Sequence, residues 1–358
     1  NQLINCRLKD FYLYGLYDYY QYGMVALRDT IERPSRPTIS TFYGMFLSTG
    51  NIGLQLENNV IRDMFNTNPI NSNTAYGIYL TSDGTAAKPH SIINNLISGF
   101  RGNGTHYGMY LSGVDYVNVY HNTIVMDDIS STGATTYGIY NTGTLGGINI
   151  KNNNVYINRG GVTGTKYCLY YTGAGAKSSD YNNLFMVSGT NNYIGYNSAN
   201  QSTLAAWQLA SGAGSPFDAN SYDLDPFFMN PIINNFSPTN SSLDDKGTPV
   251  SVFNDINGLT RSATTPDIGA YEFAVPPCSG TPNPGTITGP DSVCFGKTFT
   301  LSANNLTIGT GIIYDWQYNN GAGWTSASVS SFSYTVTGGI TVPTDFRIVT
   351  YCTNSLMA

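Results

Sequence analysis

A phrase built on tyrosine and glycine recurs five times along the chain at nearly constant spacing. It reads TFYGMFL, TAYGIYL, THYGMYL, TTYGIYN and TKYCLYY. Its first tyrosines stand 33, 31, 30 and 30 residues apart: Tyr43, Tyr76, Tyr107, Tyr137 and Tyr167. A second phrase follows each copy, and its asparagines align as Asn59, Asn95, Asn122, Asn153 and Asn183. A fixed period of about thirty residues indicates stacked, nearly identical structural units.

The repeated segments have the character of strands. Their apolar runs are short, rich in β-branched and aromatic residues, and separated by Gly, Asn, Ser and Thr. Helical repeats of this length need a 3.6-residue apolar period over ten or more residues, which these runs lack. The sequence therefore predicts an all-β fold in which residues 1–200 form the coils of a right-handed parallel β-helix with about thirty residues per coil.

The aligned asparagines predict a structural ladder. Equivalent residues of successive coils lie about 4.8 Å apart, so their side-chain amides can bond to one another and to the turn backbone. The glycine after each repeat tyrosine predicts a close backbone approach or a bend. Cys168 occupies that position in the fifth copy, which indicates that a positive φ is not required there.

An outward aromatic ladder is the candidate binding surface. Strand alternation places Tyr76, Ile78 and Leu80 on one face and Gly77 and Tyr79 on the other. If the aliphatic residues face inward, the outward ladder consists of Phe46, Tyr79, Tyr110, Tyr140 and Tyr170. Aromatic rings beside Asn and Ser suit sugars. In the alternative interpretation, the loops inserted in each coil cover this ladder.

Residues 201–275 lose the period but carry four motifs in a fixed order. After a helix with Trp207 come SYDLDPFF, SLDDKG, DINGLTR and PDIGAYEF. With the repeats, these motifs resemble the right-handed parallel β-helix proteins of the pectate-lyase-like superfamily, which are secreted bacterial proteins. The resemblance covers residues 1–275 and implies irregular last coils or a cap ending in DIGAYEF. It also implies that Asp255, Arg261, Asp267 and Glu272 pair to close the open end of the solenoid.

The last eighty residues change in composition. Residues 276–284 read as a Pro/Gly-rich linker, and residues 285–358 resemble the Ig-like β-sandwich modules of Bacteroidota surface proteins. That resemblance implies a core position for Trp316 and an incomplete module. Cys278, Cys294 and Cys352 are disulfide candidates. Spacing favours Cys294–Cys352, whereas an ordinary sandwich topology places Cys278 nearer Cys352, so the pairing stays open.

Two tripeptides, Asp29–Ile31 and Asp291–Val293, resemble the O-glycosylation pattern of the same phylum. The resemblance implies Thr30 and Ser292 as acceptors.

Catalytic chemistry is hard to find in the sequence. Glycosidic hydrolysis needs two carboxylates flanking the bond, but Asp127-Asp128 is the only acidic pair in the coils and reads as a solvated loop pair. A lyase needs a cation on several carboxylates, and only three glutamates exist: Glu32, Glu57 and Glu272. The histidines share no metal-ligand spacing. We therefore expect no metal and no cofactor.

Composition narrows the partners and the location. Net charge is −6 and only 11% of residues are charged, which argues against nucleic acid as a partner. No apolar run approaches the length of a membrane span. We expect a secreted or cell-surface, adhesin-like, non-catalytic protein that binds a polysaccharide, a cell-surface glycan or another surface through the β-helix.

The resemblances imply export by the type IX secretion system and a location that is extracellular or on the outer-membrane surface. Two alternatives remain open. One is a polysaccharide lyase or hydrolase whose active site lies in coils N-terminal to this sequence, which reads as part of a longer precursor. The other is a passive stalk or filament segment.

Overall fold

The computed structural model describes residues 1–133, 135–210 and 217–353 and is almost entirely β. The chain divides into two compact units. The first comprises Asn1–Leu224 and Asp245–Glu272, and the second comprises Asp225–Asp244 and the chain from Phe273 onward. Each unit is described by itself below.

The first unit is a parallel β-solenoid of about six turns, as the thirty-residue period predicts. Its strands, in chain order, are β1 (Gln2–Ile4), β2 (Arg7–Lys9), β3 (Tyr14–Asp18), β4 (Val25–Leu27), β5 (Thr30–Glu32), β6 (Phe42–Leu47), β7 (Gln55–Glu57), β8 (Val60–Arg62), β9 (Ala75–Leu80), β10 (His90–Ile93), β11 (Leu96–Ile97), β12 (His106–Leu111), β13 (Val117–Tyr120), β14 (Thr123–Met126), β15 (Thr136–Asn141), β16 (Gly146–Lys151), β17 (Asn154–Ile157), β18 (Lys166–Tyr171), β19 (Ala176–Asp180), β20 (Asn183–Met186), β21 (Asn192–Asn197) and β22 (Asn200–Gln201).

These strands form three sheets that run the length of the solenoid. Sheet A contains β1, β4, β7, β10, β13, β16 and β19, and sheet B contains β2, β5, β8, β11, β14, β17 and β20. Sheet C contains β3, β6, β9, β12, β15, β18 and β21, with β22 added antiparallel at its end. All other pairings in the three sheets are parallel, so each coil supplies one strand to each sheet.

Aliphatic side chains stack in the interior at matched registers. In sheet A the fully buried stack is Ala26, Leu56, Ile92, Val119 and Ile150. In sheet B it is Ile31, Ile61, Ile97, Ile124, Val155 and Leu184. Removal of this apolar area from water is the main force that holds the coils together.

The buried asparagines form a ladder at the turn between sheets A and B. Asn59 donates its backbone N–H and Nδ2 to Oδ1 of Asn95, and the same pattern joins Asn95 to Asn122 and Asn122 to Asn153. At the N-terminal side Asp29 occupies the equivalent position and accepts the N–H of Cys6 at 2.7 Å. The ladder therefore satisfies turn N–H groups that are buried in every coil.

The fifth member of the ladder is Asn182, and the alignment that chose Asn183 is wrong by one residue. Asn153 donates to Oδ1 of Asn182, whereas Asn183 pairs with Asn154 in the neighbouring strand column. The sequence YNNLF offers two adjacent asparagines, and Ser179 rather than an aliphatic residue stands three before the true ladder residue. In each coil the residue two positions after the ladder asparagine is buried in the core, so with Asn182 in the ladder that residue is Leu184 and not Phe185.

The repeat glycine is needed for close approach rather than for an unusual φ. A Cβ on Gly108 would lie 2.6 Å from the carbonyl oxygen of Gly138 and 2.6 Å from Cγ2 of Ile124, and its φ is not positive. Gly44, Gly77 and Gly138 show the same contacts in their own coils.

The C-terminal end of the solenoid is covered by the short helix α1 (Leu204–Ala210). Its Trp207 is fully buried beside Gly195 and the rings of Tyr171 and Phe217. Trp207 Nε1 donates to Asp218 at 2.8 Å. Asp218 also accepts hydrogen bonds from Asn182 and Ser221. The ladder therefore ends at Asp218, a residue that lies outside the sequence motifs.

The motif-rich segment Asp245–Glu272 lies along the side of the coils, against Asn94 and Asn152. The expected pairing of Arg261 with Glu272 is present, but the expectation that these residues close the open end of the solenoid is wrong. Arg261 pairs with Glu272 at 3.1 Å and donates to Oδ1 of Asn94 at 2.9 Å. Asp255 accepts the N–H groups of Asn257, Leu259 and Glu272. The Asp267 carbonyl oxygen lies 3.0 Å from Nδ1 of His121. The bonds of Asp255 and Glu272 hold the segment together, and the bonds of Arg261 and Asp267 to Asn94 and His121 attach it to the turns beside the ladder.

His106 on β12 is a buried polar side chain inside the solenoid. Neither ring nitrogen has a hydrogen-bond partner among the described residues, and the ring packs near Phe65 and Phe100. Burial, with a smaller contribution from Arg159, holds its pKa well below the usual value. The histidine is therefore neutral in the folded state, whereas in the unfolded chain it titrates near 6.5.

His106 gives a pH-dependent prediction. Below pH 6.5 the unfolded chain binds a proton that the folded chain does not, so stability falls as pH falls. Relative to His106→Leu, the wild type is expected to lose about 1.4 kcal/mol per pH unit below 6.5. Denaturant titrations of both proteins at pH 7.5, 6.5 and 5.5 measure this difference, and buried carboxylates contribute equally to both. Parallel pH curves would contradict the assignment of a neutral buried histidine.

The second unit contains two three-stranded antiparallel sheets, consistent with a β-sandwich. Its strands are β23 (Thr286–Thr288), β24 (Phe299–Asn304), β25 (Ile312–Asn319), β26 (Thr325–Ser326), β27 (Ser333–Val336) and β28 (Asp345–Cys352), with 3-10 turns at Pro231–Ile233 and Ser241–Leu243. The sheet orders are β23-β24-β27 and β26-β25-β28. Trp316 is fully buried in the core and donates Nε1 to the Ser331 carbonyl.

The structure selects one of the two disulfide pairings that the sequence left open. Cys278 is bonded to Cys352, and Cys294 is free and exposed. Both cysteines are held beside the same segment. The N–H of Cys278 donates to the Thr310 carbonyl, and the N–H of Thr353, next to Cys352, donates to the carbonyl of the adjacent Gly311. Cys168 is buried and Cys6 is partly buried in the solenoid.

Candidate functional site: the tyrosine face of sheet C

The outward face of sheet C carries two parallel columns of aromatic rings, here called the tyrosine face. Register pairs place the first column at Tyr14, Tyr43, Tyr76, Tyr107, Tyr137, Tyr167 and Tyr193. They place the second at Tyr17, Phe46, Tyr79, Tyr110, Tyr140, Tyr170 and Tyr196. Five of the second column are the residues predicted as the aromatic ladder.

The first column corrects the predicted strand alternation. Tyr76 was expected to share the inward face with Ile78, but it is partly exposed, and the two consecutive residues Gly77 and Ile78 are buried. The strand is irregular at the glycine, and the same burial pattern recurs in β6, β12 and β15. Both outward positions of each strand are thus aromatic, and the face is twice as wide as the sequence indicated.

The rings pack against one another. Tyr76 lies 4.9 Å from Tyr43 and 4.8 Å from Tyr107 in its column, with interplanar angles of 7° and 8°. It lies 4.9 Å from Tyr79 in the other column. Parallel rings this close must overlap face to face, as in offset stacking. The central rings of the tyrosine face therefore pack face to face and present mainly their edges and hydroxyls to solvent.

Two rings break this pattern near the C-terminal end of the face. Tyr170 stands at 80° to Tyr140, at a centroid distance of 4.8 Å, and stacks on Tyr196 at 4.4 Å with an interplanar angle of 11°. These two rings are therefore turned relative to the rest of the array.

The face is uncharged and partly accessible. Of its fourteen residues only Tyr167 is buried, while Tyr14 and Tyr17 are 38% and 51% exposed. Burial, together with the neighbouring phenols, raises the pKa of Tyr76 to about 12 and also raises that of Tyr107 and Tyr137. These hydroxyls keep their protons at neutral pH and can both donate and accept hydrogen bonds.

The acidic pair of the sequence analysis lies elsewhere. Asp128 is buried, not solvated, and accepts from the N–H of Gly102 and from the N–H and hydroxyl of Ser130. Arg101 lies 3.7 Å from Asp127 and 3.8 Å from Asp128. Because its oxygens accept hydrogen bonds from Gly102 and Ser130, we assign Asp128 a structural role in holding this turn.

The two glycosylation candidates lie in different settings. Thr30 is partly buried in β5, directly between the ladder residue Asp29 and the core residue Ile31. Asp29 and Ile31 are therefore explained by their structural positions in the repeat, as a ladder residue and a core residue. Ser292 lies in an exposed loop of the second unit.

No family model, curated protein or solved structure matches this chain in the comparisons with known proteins. Within the part of the chain that the structure describes, no helix has the length and apolar character needed to cross a membrane.

Proposed function

We propose that this protein is a non-catalytic binding protein, secreted or displayed on a cell surface, that attaches to glycans or another hydroxyl-rich surface through the tyrosine face. The observation that carries the proposal is the double column of partly exposed aromatic rings, repeated in register in every coil of sheet C.

The chemistry of the face favours a neutral, hydroxylated ligand. Phenol hydroxyls recur at the spacing of the coils, with ring centroids 4.8 Å apart between Tyr107 and Tyr137. Such a row offers alternating donors and acceptors, and the ring edges supply apolar contact. Many weak, equivalent contacts along one line suit a polymer better than a small ligand, because each coil adds to the avidity.

The proposal about source and export rests on the resemblances alone. Similarity of the motifs in residues 201–275 to the pectate-lyase-like superfamily, and of the second unit to Ig-like modules, supports a Bacteroidota-type surface protein exported by the type IX system. An extracellular or outer-membrane location follows from the same argument.

A glycan array tests the proposal. The wild-type protein is expected to bind at least one class of neutral glycan, and Tyr79→Ala/Tyr110→Ala/Tyr140→Ala is expected to lose most of that signal. Tyr156→Ala/Phe185→Ala is the matched control, since those two rings stack on sheet B at 5.3 Å, away from the tyrosine face. Equal signal in all three proteins would mean that glycans bind outside the tyrosine face, and no signal in any of them would favour a passive stalk.

A further inference from the structure

Glu57 differs from the other two glutamates of the chain. Glu32 and Glu272 are each paired with arginines. The side chain of Glu57 is half-buried and has no hydrogen bond or ion pair with any of the described residues. Its oxygens are not among the buried polar atoms that lack a partner, so the carboxylate remains accessible and free to accept hydrogen bonds from a ligand.

The position of Glu57 makes it the polar centre of an apolar column on the outside of sheet A. Its register partners are Leu27 on β4 and Ile93 on β10. Burial between them raises the pKa of the carboxyl, and Arg28 acts in the opposite direction.

Two cavities of about 380 Å³ and about 530 Å³ meet at this column and share Glu57 and Ile93 in their linings. Together they form a groove across the outer face of β4, β7 and β10, here called the sheet A groove. One wall carries Tyr22 and Lys88, and the other is formed by Ser251–Gly258 of the side segment. In the next coil Tyr120 follows Ile93 in register.

The charges of the groove restrict the class of ligand. Arg28 and Lys88 disfavour a cation, and the carboxylates of Glu57 and Asp255 disfavour an anion. Hydroxyl groups can donate to Glu57 and accept from Arg28 and Lys88, with Gln55 available beside them. The exposed rings of Tyr22 and Phe253, at 65% and 74% exposure, offer apolar surface at opposite walls.

We infer that the sheet A groove is a second binding site, separate from the tyrosine face, which takes a neutral oligosaccharide with Glu57 as the central hydrogen-bond acceptor. The inference does not depend on the tyrosine face, because the two sites lie on different sheets and share no residue.

Isothermal titration with neutral hexasaccharides tests this inference. The probes are cellohexaose, xylohexaose, mannohexaose and maltohexaose, with hexagalacturonate as the anionic comparison. Glu57→Leu replaces the carboxylate with the side chain found at Leu27, so it is expected to fold with unchanged or raised melting temperature. Ile93→Tyr introduces the residue that Tyr120 supplies one coil later and fills the groove.

At least one neutral hexasaccharide is expected to bind the wild type more tightly than hexagalacturonate does. Each variant is expected to weaken that binding at least about tenfold. Glu57→Leu removes hydrogen bonds to a charged group, and Ile93→Tyr occupies the space that the ligand needs. The triple tyrosine variant should bind the same probe normally in this assay. Absence of binding by every neutral probe, preference for hexagalacturonate, or binding that both groove variants retain would each overturn the inference. If the triple variant alone loses binding, the groove is excluded and the tyrosine face is supported.

Discussion

Replacing Asn122 with alanine is expected to lower the free energy of unfolding by about 4 kcal/mol. Oδ1 of Asn122 accepts the backbone N–H of Asn95 at 2.9 Å, and Nδ2 donates to the Ile92 carbonyl at 2.8 Å. Both groups are buried, and alanine leaves them without these partners. An orphaned buried donor or acceptor costs roughly 1–3 kcal/mol, and two are created here along with a small cavity.

Asn149→Ala is the matched control for this experiment. Its Nδ2 donates to Oδ1 of Asn118 at 2.9 Å in a similar coil-to-coil arrangement, but on the outer face of sheet A where water replaces the lost bond. We expect a loss of no more than about 0.5 kcal/mol. Chemical denaturation followed by circular dichroism measures both variants. Equal losses in the two variants would mean that the buried ladder has no special role in stability.

Asn122→Asp separates the acceptor role from the donor role. The carboxylate keeps an oxygen for the Asn95 N–H, as Asp29 does for Cys6 at the first rung. In the middle of the ladder, however, it faces Oδ1 of Asn153, to which Asn122 now donates at 3.0 Å. The aspartate variant is therefore expected to be destabilised at neutral pH and to recover part of its stability as the carboxyl is protonated at lower pH.

The sequence predicted the fold well because every coil repeats the same physical requirement. Aliphatic residues at Leu56, Ile92 and Val119 must meet in one stack, so the period and the register follow from the alignment. Prediction failed where the repeat ended. At Asn182 the next rung is made by Ser221 and Asp218, which come from a non-repetitive segment whose contacts no period reveals.

The sequence predicted one of the two aromatic columns of the tyrosine face. Simple alternation found the column of Tyr79 and Tyr110 but assigned Tyr76 to the interior. The error came from Gly77 and Ile78, two consecutive residues that are both buried, which breaks the simple alternation. Gly77 can take its buried position because it has no Cβ, and a Cβ there would meet the backbone of the next coil. The sheet A groove could not be anticipated, because one of its walls comes from Ser251–Gly258, nearly two hundred residues after Glu57.

The Cys278–Cys352 disulfide is expected to contribute about 4 kcal/mol to the stability of the second unit. The two cysteines are 74 residues apart, and in the chain-entropy model a cross-link of this span removes about that much freedom from the unfolded chain. The core it supports is small and centres on Leu301, Trp316 and Ile348. A domain with so few buried side chains depends strongly on such a link.

Cys278→Ser/Cys352→Ser tests this expectation, and Cys294→Ser is the control because Cys294 is free and exposed. In tryptophan fluorescence, the transition of Trp316 and Trp324 in the second unit should move to a markedly lower denaturant concentration in the double variant. The transition of Trp207 in the first unit should stay in place, and the control should match the wild type. Peptide mapping without reduction should recover Cys278 joined to Cys352. Recovery of Cys294 joined to Cys352, with Cys294→Ser as the destabilised variant, would restore the pairing that spacing alone favoured.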